Sequence, residues 1–353
     1  MSQRRHELDT RILTVFFMAA IPFVAFGAYL VVGLARGRLE DSLGESLEQR
    51  ALQTKLDIER YMGEQIVGLH LLALDPEVIR AVGAKEMPRA DHPLSARLRE
   101  IVQIRPNLKL LQVVDAQGRV VAASARSARV IPLGAPWQET LLGQGASVRP
   151  YVGDIQRSPG TDGAVLEIAY PVRDVVGPPR GIVRALVDAG DLFGVLSSVR
   201  IGRTGHAVLV RAEDGVILAS DDQRKVLRDR FPGFATIQAA MREKRGYWLV
   251  PALPERADGA NKLAGEPARL VGYAVIEQVP DVSWLVTVEQ DQAEATFALT
   301  GVTRYLWILF AAVFGAVILL ALYFSFKLEA PVIEEGLHLH EEHVPASMRG
   351  SAP

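Results

Sequence analysis

The chain has 353 residues, with 39 Lys and Arg against 41 Asp and Glu, a net charge of −2 and no cysteine. The balanced charge argues against nucleic acid as a partner. The lack of cysteine excludes disulfides, cysteine metal sites and thiol nucleophiles.

Residues 1–11 carry Arg4, Arg5 and Arg11 and precede a charge-free apolar run over 12–35, from Ile12 to Ala35. A second run, Tyr305 to Phe326 within 304–327, lies near the other end. A helix needs about 20 apolar residues to cross the hydrocarbon core of a bilayer, so both runs read as transmembrane helices. Two crossings put both termini on one side and everything between them on the other. The arginines before the first run favour a cytoplasmic N-terminus, although Arg36 and Arg38 follow it. A cleaved signal peptide is the alternative. The run exceeds the usual apolar signal core of about 7–15 residues, and Arg36-Gly37-Arg38 offers no small-residue cleavage site. Pro22 is expected to kink the first helix, as membrane helices tolerate.

Residues 36–75 read as one long helix. Leu39, Leu43, Leu47, Ala51, Ile58, Met62, Ile66 and Leu69 follow the helical period, while Gly44, Gly63 and Gly68 weaken it. The stripe suits a core helix on a sheet, a stalk that pairs with a second copy, or both at once. Asp75-Pro76 ends this helix and caps the next.

The pattern then changes to short strands. Leu108 to Val114, the turn Asp115 to Gly118, and Arg119 to Ser124 form a hairpin. A second hairpin follows at Ala207 to Ser220 around Ala212 to Gly215, with the same Val-apolar-x-Ala-Ser ending. Leu166 to Val172 with Gly181 to Asp188 form a strand pair, repeated by Arg269 to Ile276 with Ser283 to Glu289. Tyr170 and Tyr273 fall at equivalent places in this pattern. A repeat near 100 residues implies two α+β modules in tandem, over 76–192 and 193–300, each an antiparallel sheet with helices on one side.

Ile201-Gly202-Arg203-Thr204-Gly205-His206-Ala207-Val208-Leu209-Val210, then Asp214-Gly215-Val216-Ile217, resembles the opening of the membrane-proximal module of the double Cache domain. That domain is the PAS-like extracytoplasmic sensor of bacterial transmembrane receptors. Ser283-Trp284-Leu285-Val286-Thr287-Val288 resembles the module's closing strand, and Asp115 to Ser124 with Gly181 to Asp188 resemble the distal module. The resemblance covers about residues 36–300. It implies two PAS-like modules on a long N-terminal helix between two transmembrane helices, with a small ligand in the distal module.

In amino-acid-binding members of that family, an Arg two residues before a Trp, then a Tyr and a late Asp, grip the ligand. Trp137, Tyr151 and Asp188 match the last three of these, but Ala135 stands where the Arg is expected. Arg149, Arg129 or Arg126 can replace it from nearby segments. Each residue also has a structural alternative: Trp137 as a core plug, Tyr151 as cover for a sheet edge, Asp188 as a cap of a helix near Asp191.

Other signals fall away. Gly202-Arg203-Thr204-Gly205 lacks the pattern of a phosphate loop, and Gly143-Gln144-Gly145 lacks the third glycine of a dinucleotide fingerprint. No Gly-x-Ser-x-Gly accompanies His70 or His206. Asp221-Asp222 reads as a solvated turn. No cofactor is expected. Residues 328–353 carry His338, His340 and His343 among acidic residues, a poor metal set in an otherwise disordered tail.

The function expected is therefore a two-pass protein of the bacterial inner membrane, with a periplasmic sensor for a small polar ligand. It is expected to be a homodimer, to be no enzyme, and to signal through a separate protein, since residues 328–353 are too short for an output domain. The alternative is a membrane-anchored scaffold whose Cache fold binds protein.

Overall fold

The computed structural model describes residues 2–84, 93–125, 141–142, 149–157, 163–174, 177–252, 256–258, 261–263 and 267–328. The chain divides into two units, one of residues 1–38 with 297–353, the other Leu39–Thr296.

In the first unit both apolar runs lie within helices. Helix α1 is continuous from Ser2 to Ala73, so the expected helix at 36–75 and the first run belong to one element that also takes in residues 2–11. A second long helix covers Phe297–Leu328 and contains the run from Tyr305 to Phe326. The expected membrane spans at 12–35 and 304–327 are helical, yet among the described residues no helix is long and apolar enough to cross a membrane. The side chains of residues 2–25 and many of those beyond 297 lie outside the described set. Residues 329–353, including the three tail histidines, also lie outside it.

The second unit is α+β and holds two antiparallel sheets. The distal sheet comprises β1 (Leu108–Asp115), β2 (Val120–Ala123), β3 (Tyr151–Val152), β4 (Gln156–Arg157), β5 (Ala164–Val172) and β6 (Gly181–Asp188). Its order is β2-β1-β6-β5-β3, with β4 also on β5. The proximal sheet comprises β7 (Arg200–Ile201), β8 (Gly205–Arg211), β9 (Ile217–Ala219), β10 (Arg245–Val250), β13 (Arg269–Ile276) and β14 (Trp284–Asp291). Its order is β10-β13-β14-β8-β7, with β9 on β8. A small hairpin, β11 (Arg256–Asp258) and β12 (Asn261–Leu263), lies between β10 and β13 in sequence. Both expected hairpins are present, and each carries a bulge, at Val113/Val114 and Leu209/Val210.

The apolar stripe of α1 explains its place. Leu47, Ala51, Ile58, Met62, Leu69 and Ala73 are all buried, in one cluster with Leu111, Ile168, Val183 and Val187 of the distal sheet and Leu209, Ala274, Trp284 and Val286 of the proximal one. Each fully buried aliphatic side chain contributes about 1.5–3 kcal/mol. At Gly272 the approach of β13 to α1 is so close that a Cβ would stand 2.2 Å from the backbone carbon of Leu47. Glu59, buried on the same helix, accepts from the Glu277 and Gln278 backbone N–H groups at 3.0 and 3.2 Å, fixing the chain just after β13.

Helix α2 (Pro76–Gly83) starts as expected: Asp75 Oδ1 accepts from the Glu77 N–H at 2.8 Å, with Pro76 in the first turn. Helices α3 (Pro93–Ile104), α4 (Gly190–Ser197) and α5 (Phe234–Ala240) follow, then the short α6 (Gln292–Ala295); Phe297–Leu328 is α7. Tyr170 and Tyr273 are not equivalent. Tyr170 faces the α1 side and stacks on His70 with ring centroids 4.6 Å apart, while Tyr273 packs on the opposite face of its own sheet. Tyr170 pairs with Val183, two residues into β6, and Tyr273 with Thr287, three into β14. A one-residue difference in register exchanges the two faces of a strand.

Candidate functional site

Alternation divides the distal sheet into two faces. Leu111, Val113, Leu166, Ile168, Tyr170, Val183 and Val187 turn to α1, which puts Gln112 of β1, Glu167 of β5 and Arg184 of β6 on the other face. These three form one chain of contacts across adjacent strands. Arg184 Nη1 donates to Gln112 Oε1 at 2.7 Å, and Arg184 Nε is paired with Glu167 Oε1. Gln112 is 1% exposed and Glu167 8%. A largely buried guanidinium, 16% exposed and held between an amide and a carboxylate, is satisfied, and it is also a preorganised site for planar recognition of an incoming anionic or polar group.

Tyr151 of β3 lies on this same side, packed with Val114, Leu141, Ala169 and Ile182. Burial, and then the charges of Glu167, Asp281 and Asp154, push its phenol above its ordinary value. Asp188, at the end of β6, pairs with Lys109 Nζ at 2.7 Å and accepts from the Gly190 N–H at 2.8 Å. Burial raises its carboxyl, but Lys109 and Gly190 outweigh that and hold it below the ordinary value. Asp188 thus ties down the turn into α4 as well as standing on the Arg184 side of its strand. Arg149 lies 3.7 Å from Asp281 of the proximal module, 58% exposed. Trp137 and Arg129, with Arg126 and Ala135, lie outside the described residues. Of the expected site residues, Tyr151 and Asp188 therefore share a sheet face with the Gln112–Arg184–Glu167 chain, and Arg149 stands at the junction of the modules.

That junction is polar and specific. The indole Nε1–H of Trp284, the first residue of β14, donates to Asp154 Oδ1 at 2.8 Å. Arg211 Nε lies 2.5 Å from Asp154 Oδ2, an ion pair without a well-directed hydrogen bond, and its Nη1 donates to Asp214 at 3.2 Å. Asp154 is three residues beyond Tyr151 and next to Gly153, whose N–H donates to the Glu167 carbonyl at 2.8 Å.

A separate cleft of about 380 Å³ lies on the α1 side of the distal sheet, walled by apolar residues such as Leu72, Ile101, Ile104 and Ile168. Among the described residues no group of three or more His, Cys, Asp or Glu side chains is placed to hold a metal ion.

A model of the Cache domain matches residues 35–299. The chain belongs to the Cache domain family. It is 24% identical over 303 residues to the methyl-accepting chemotaxis protein McpA of Pseudomonas putida, covering 84% of this chain and 41% of that relative. The chain therefore spans less than half the length of the curated relative it matches. The solved structure titled Methyl-accepting Chemotaxis protein X superposes with a TM-score of 0.51 at 16% identity, over 72% of this chain and 99% of that one. The ligand-binding domain of the Pseudomonas aeruginosa PAO1 chemoreceptor PctC, solved with GABA, gives 0.48 at 18% identity over 70% and 100%. The shared feature is the double Cache fold.

The two Cache modules differ on the face turned away from α1. In the proximal module the middle of that face is filled by Val208, Val210, Val271, Tyr273 and Leu285 under Phe231 and Ile237, and the polar residues His206, Glu289 and Arg269 stand at its end. In the distal module it carries Gln112, Glu167 and Arg184. Sequence reasoning missed these three. A signal was present: Val165-Leu166-Glu167-Ile168-Ala169 and Ile182-Val183-Arg184-Ala185-Leu186 each hold a single charge inside an apolar strand, and the two charges are opposite. A buried strand keeps a charge only when another group compensates it.

Proposed function

We propose that this chain is a membrane-anchored, periplasmic Cache sensor whose distal module binds a small polar ligand on the sheet face bearing Gln112, Glu167, Arg184 and Tyr151, with Asp188 at its margin. The observation that carries this reading is where the polar residues stand: in the distal module a largely buried guanidinium lies at the middle of the face, and in the proximal module the middle of that face is closed by apolar side chains. On the family pattern Trp137 belongs to this site, and Arg149, Arg129 or Arg126 replaces the arginine for which Ala135 stands. The anchor reading is supported by the two charge-free runs within α1 and α7, and the output by the name of the relative from Pseudomonas putida.

A ligand carboxylate that competes with Glu167 for Arg184 shifts β5 and the adjoining β3. From β3 the change reaches Asp154 and Trp284, then runs along β14 to the helix that follows. A conformational change is driven only by a difference in ligand affinity between two states, and here the difference is the exchange of partners at Arg184. A second copy packs on the exposed stripe formed by Val67 and Leu71 of α1 and Leu74 just beyond its end, which are 53–65% exposed. A signalling protein that touches α7 reads the outcome.

The test is a thermal-shift screen of the full-length protein in nanodiscs against amino acids, small amines and small carboxylates. Stabilisation should scale as RT ln(1 + [L]/Kd), and Arg184→Ala should abolish it for every hit. A library in which nothing stabilises the wild type, or a hit that binds Arg184→Ala equally well, refutes the reading.

A further inference from the structure

The proximal module has its own polar cluster, at the end of the sheet where β14 leaves it. His206 of β8 has Nε2 2.9 Å from Glu289 Oε1 and Nδ1 3.0 Å from the carbonyl oxygen of Thr204. Both partners are acceptors only, and neutral imidazole has a single N–H. Only the imidazolium satisfies both contacts. Glu289 of β14 is buried and accepts also from Arg269 Nη1 of β13, at 3.2 and 3.1 Å, while Arg269 Nε lies 3.8 Å from Asp291. Arg200 of β7 is the cross-strand neighbour of His206 on its other side, and Asp221 adds a negative charge from beyond β9. The cluster spans β8, β14 and β13, the strands that correspond to β1, β6 and β5 of the distal module with its Gln112–Arg184–Glu167 chain.

The loop that His206 holds is itself a clasp. The Arg203 N–H donates to Glu294 Oε1 at 2.6 Å, and the Thr204 N–H and Oγ1–H donate to Glu294 Oε2 at 2.8 and 2.5 Å. Thr204 Oγ1 accepts from the Asp291 N–H at 3.2 Å. Gly202, with φ of +60°, leaves the space that the Glu294 carboxylate occupies, since a Cβ there would stand 2.5 Å from Oε1. Glu294 belongs to α6, the short turn that runs into α7.

We infer that the proximal module has an input of its own, the proton, which His206 binds between the Thr204 carbonyl and Glu289 so as to keep the 202–205 loop clasped on Glu294. When the proton leaves, the imidazole keeps its stronger, charge-assisted bond from Nε2 to Glu289. Its Nδ1 lone pair then opposes the Thr204 carbonyl, and the loop loosens from α6. The hydrogen bond to Glu289, assisted by the Thr204 carbonyl and Asp221, raises His206 above its ordinary 6.5 against the opposing effect of burial. The side chain is 30% exposed, so solvent protons reach it. That this loosening alters output rests on the sensor reading above; the proton site itself does not.

The experiment is hydrogen–deuterium exchange of the full-length protein in nanodiscs between pH 5 and 9, read by mass spectrometry at the histidine Cε1 positions and at the backbone amides of 291–296. His206 should titrate above 6.5, and above the same residue in Glu289→Gln. Amide protection over 291–296, corrected for intrinsic exchange, should fall about tenfold through that midpoint and should be independent of pH in His206→Gln. A His206 midpoint at or below 6.5 overturns the proposal, as does an equal pH response of 291–296 in His206→Gln. The readout is confined to the proximal module, so a ligand screen that fails in the distal module leaves it standing.

Discussion

Replacing Asp154 by Ala removes the carboxylate that Trp284 and Arg211 of the proximal module share in the distal one. Trp284 is wholly buried, so its indole N–H is left without an acceptor, at a cost of about 1–3 kcal/mol. The ion pair with Arg211 adds little, about 0–1 kcal/mol, because Asp154 is 38% exposed and Arg211 27%. The sum is about 1–4 kcal/mol, which lowers the melting temperature of a unit of this size by about 2–4 °C for each kcal/mol. Asp154→Asn keeps an oxygen for the indole and loses only the charge, so its cost stays below about 1 kcal/mol. In a Trp284→Phe background the N–H is already gone, and Asp154→Ala should shrink to the ion-pair value, a coupling of about 1 kcal/mol or more. Thermal unfolding of the wild type, the three single variants and the double variant by circular dichroism measures all of this. Equal losses for Ala and Asn, or a coupling near zero, would refute the role given to the indole bond.

Gly272→Ala should abolish folding, because its Cβ would meet the backbone of α1 and no side chain can yield; expression with a wild-type melting curve would show that the helix can move off β13. Asp188 has a lowered carboxyl pKa, so the stability it contributes is present above its ordinary 3.8 and is lost as pH falls through its folded value. Lys109→Met should remove most of that acid sensitivity, measured as the difference in urea midpoint between pH 3 and 6. Because the chain has no cysteine, Leu71→Cys is a clean crosslinking probe: oxidation should give a disulfide-linked pair, and a species that stays monomeric at all concentrations would count against the α1 stripe as a contact between copies.

What the sequence made legible was local. The Asp75-Pro76 cap, the hairpins around Asp115 to Gly118 and Ala212 to Gly215, and the stripe of α1 each depend on residues a few positions apart, so turn chemistry and periodicity suffice. The stretch between Asp221 and Arg269, with α5, β10 and the β11–β12 hairpin, showed no pattern to read. The site was harder. Asp154 and Trp284 meet although they are far apart in sequence, and nothing near either names the other. Tyr170 and Tyr273 looked equivalent by spacing, yet a single step of register turned one to α1 and the other away. Gln112, Glu167 and Arg184 become a unit only once the order β1-β6-β5 is known. Tyr151 and Asp188 were singled out through family resemblance and share the sheet face of that unit, and Arg149 faces Asp281 at the module junction.

The bond between Asp154 and Trp284 also bears on how Cache modules recombine. The link from β6 through α4 to β7 looks like a seam at which one distal module is exchanged for another. It is not a free seam. A foreign distal module grafted there brings its own residue to the place of Asp154, and if that residue is apolar the resident Trp284 keeps a buried N–H with no acceptor. Chimaeras that retain an acidic or amide side chain at that position should fold, and those that lack one should need a compensating change at Trp284. Diversification of the distal module is thereby constrained at its contact with the proximal one.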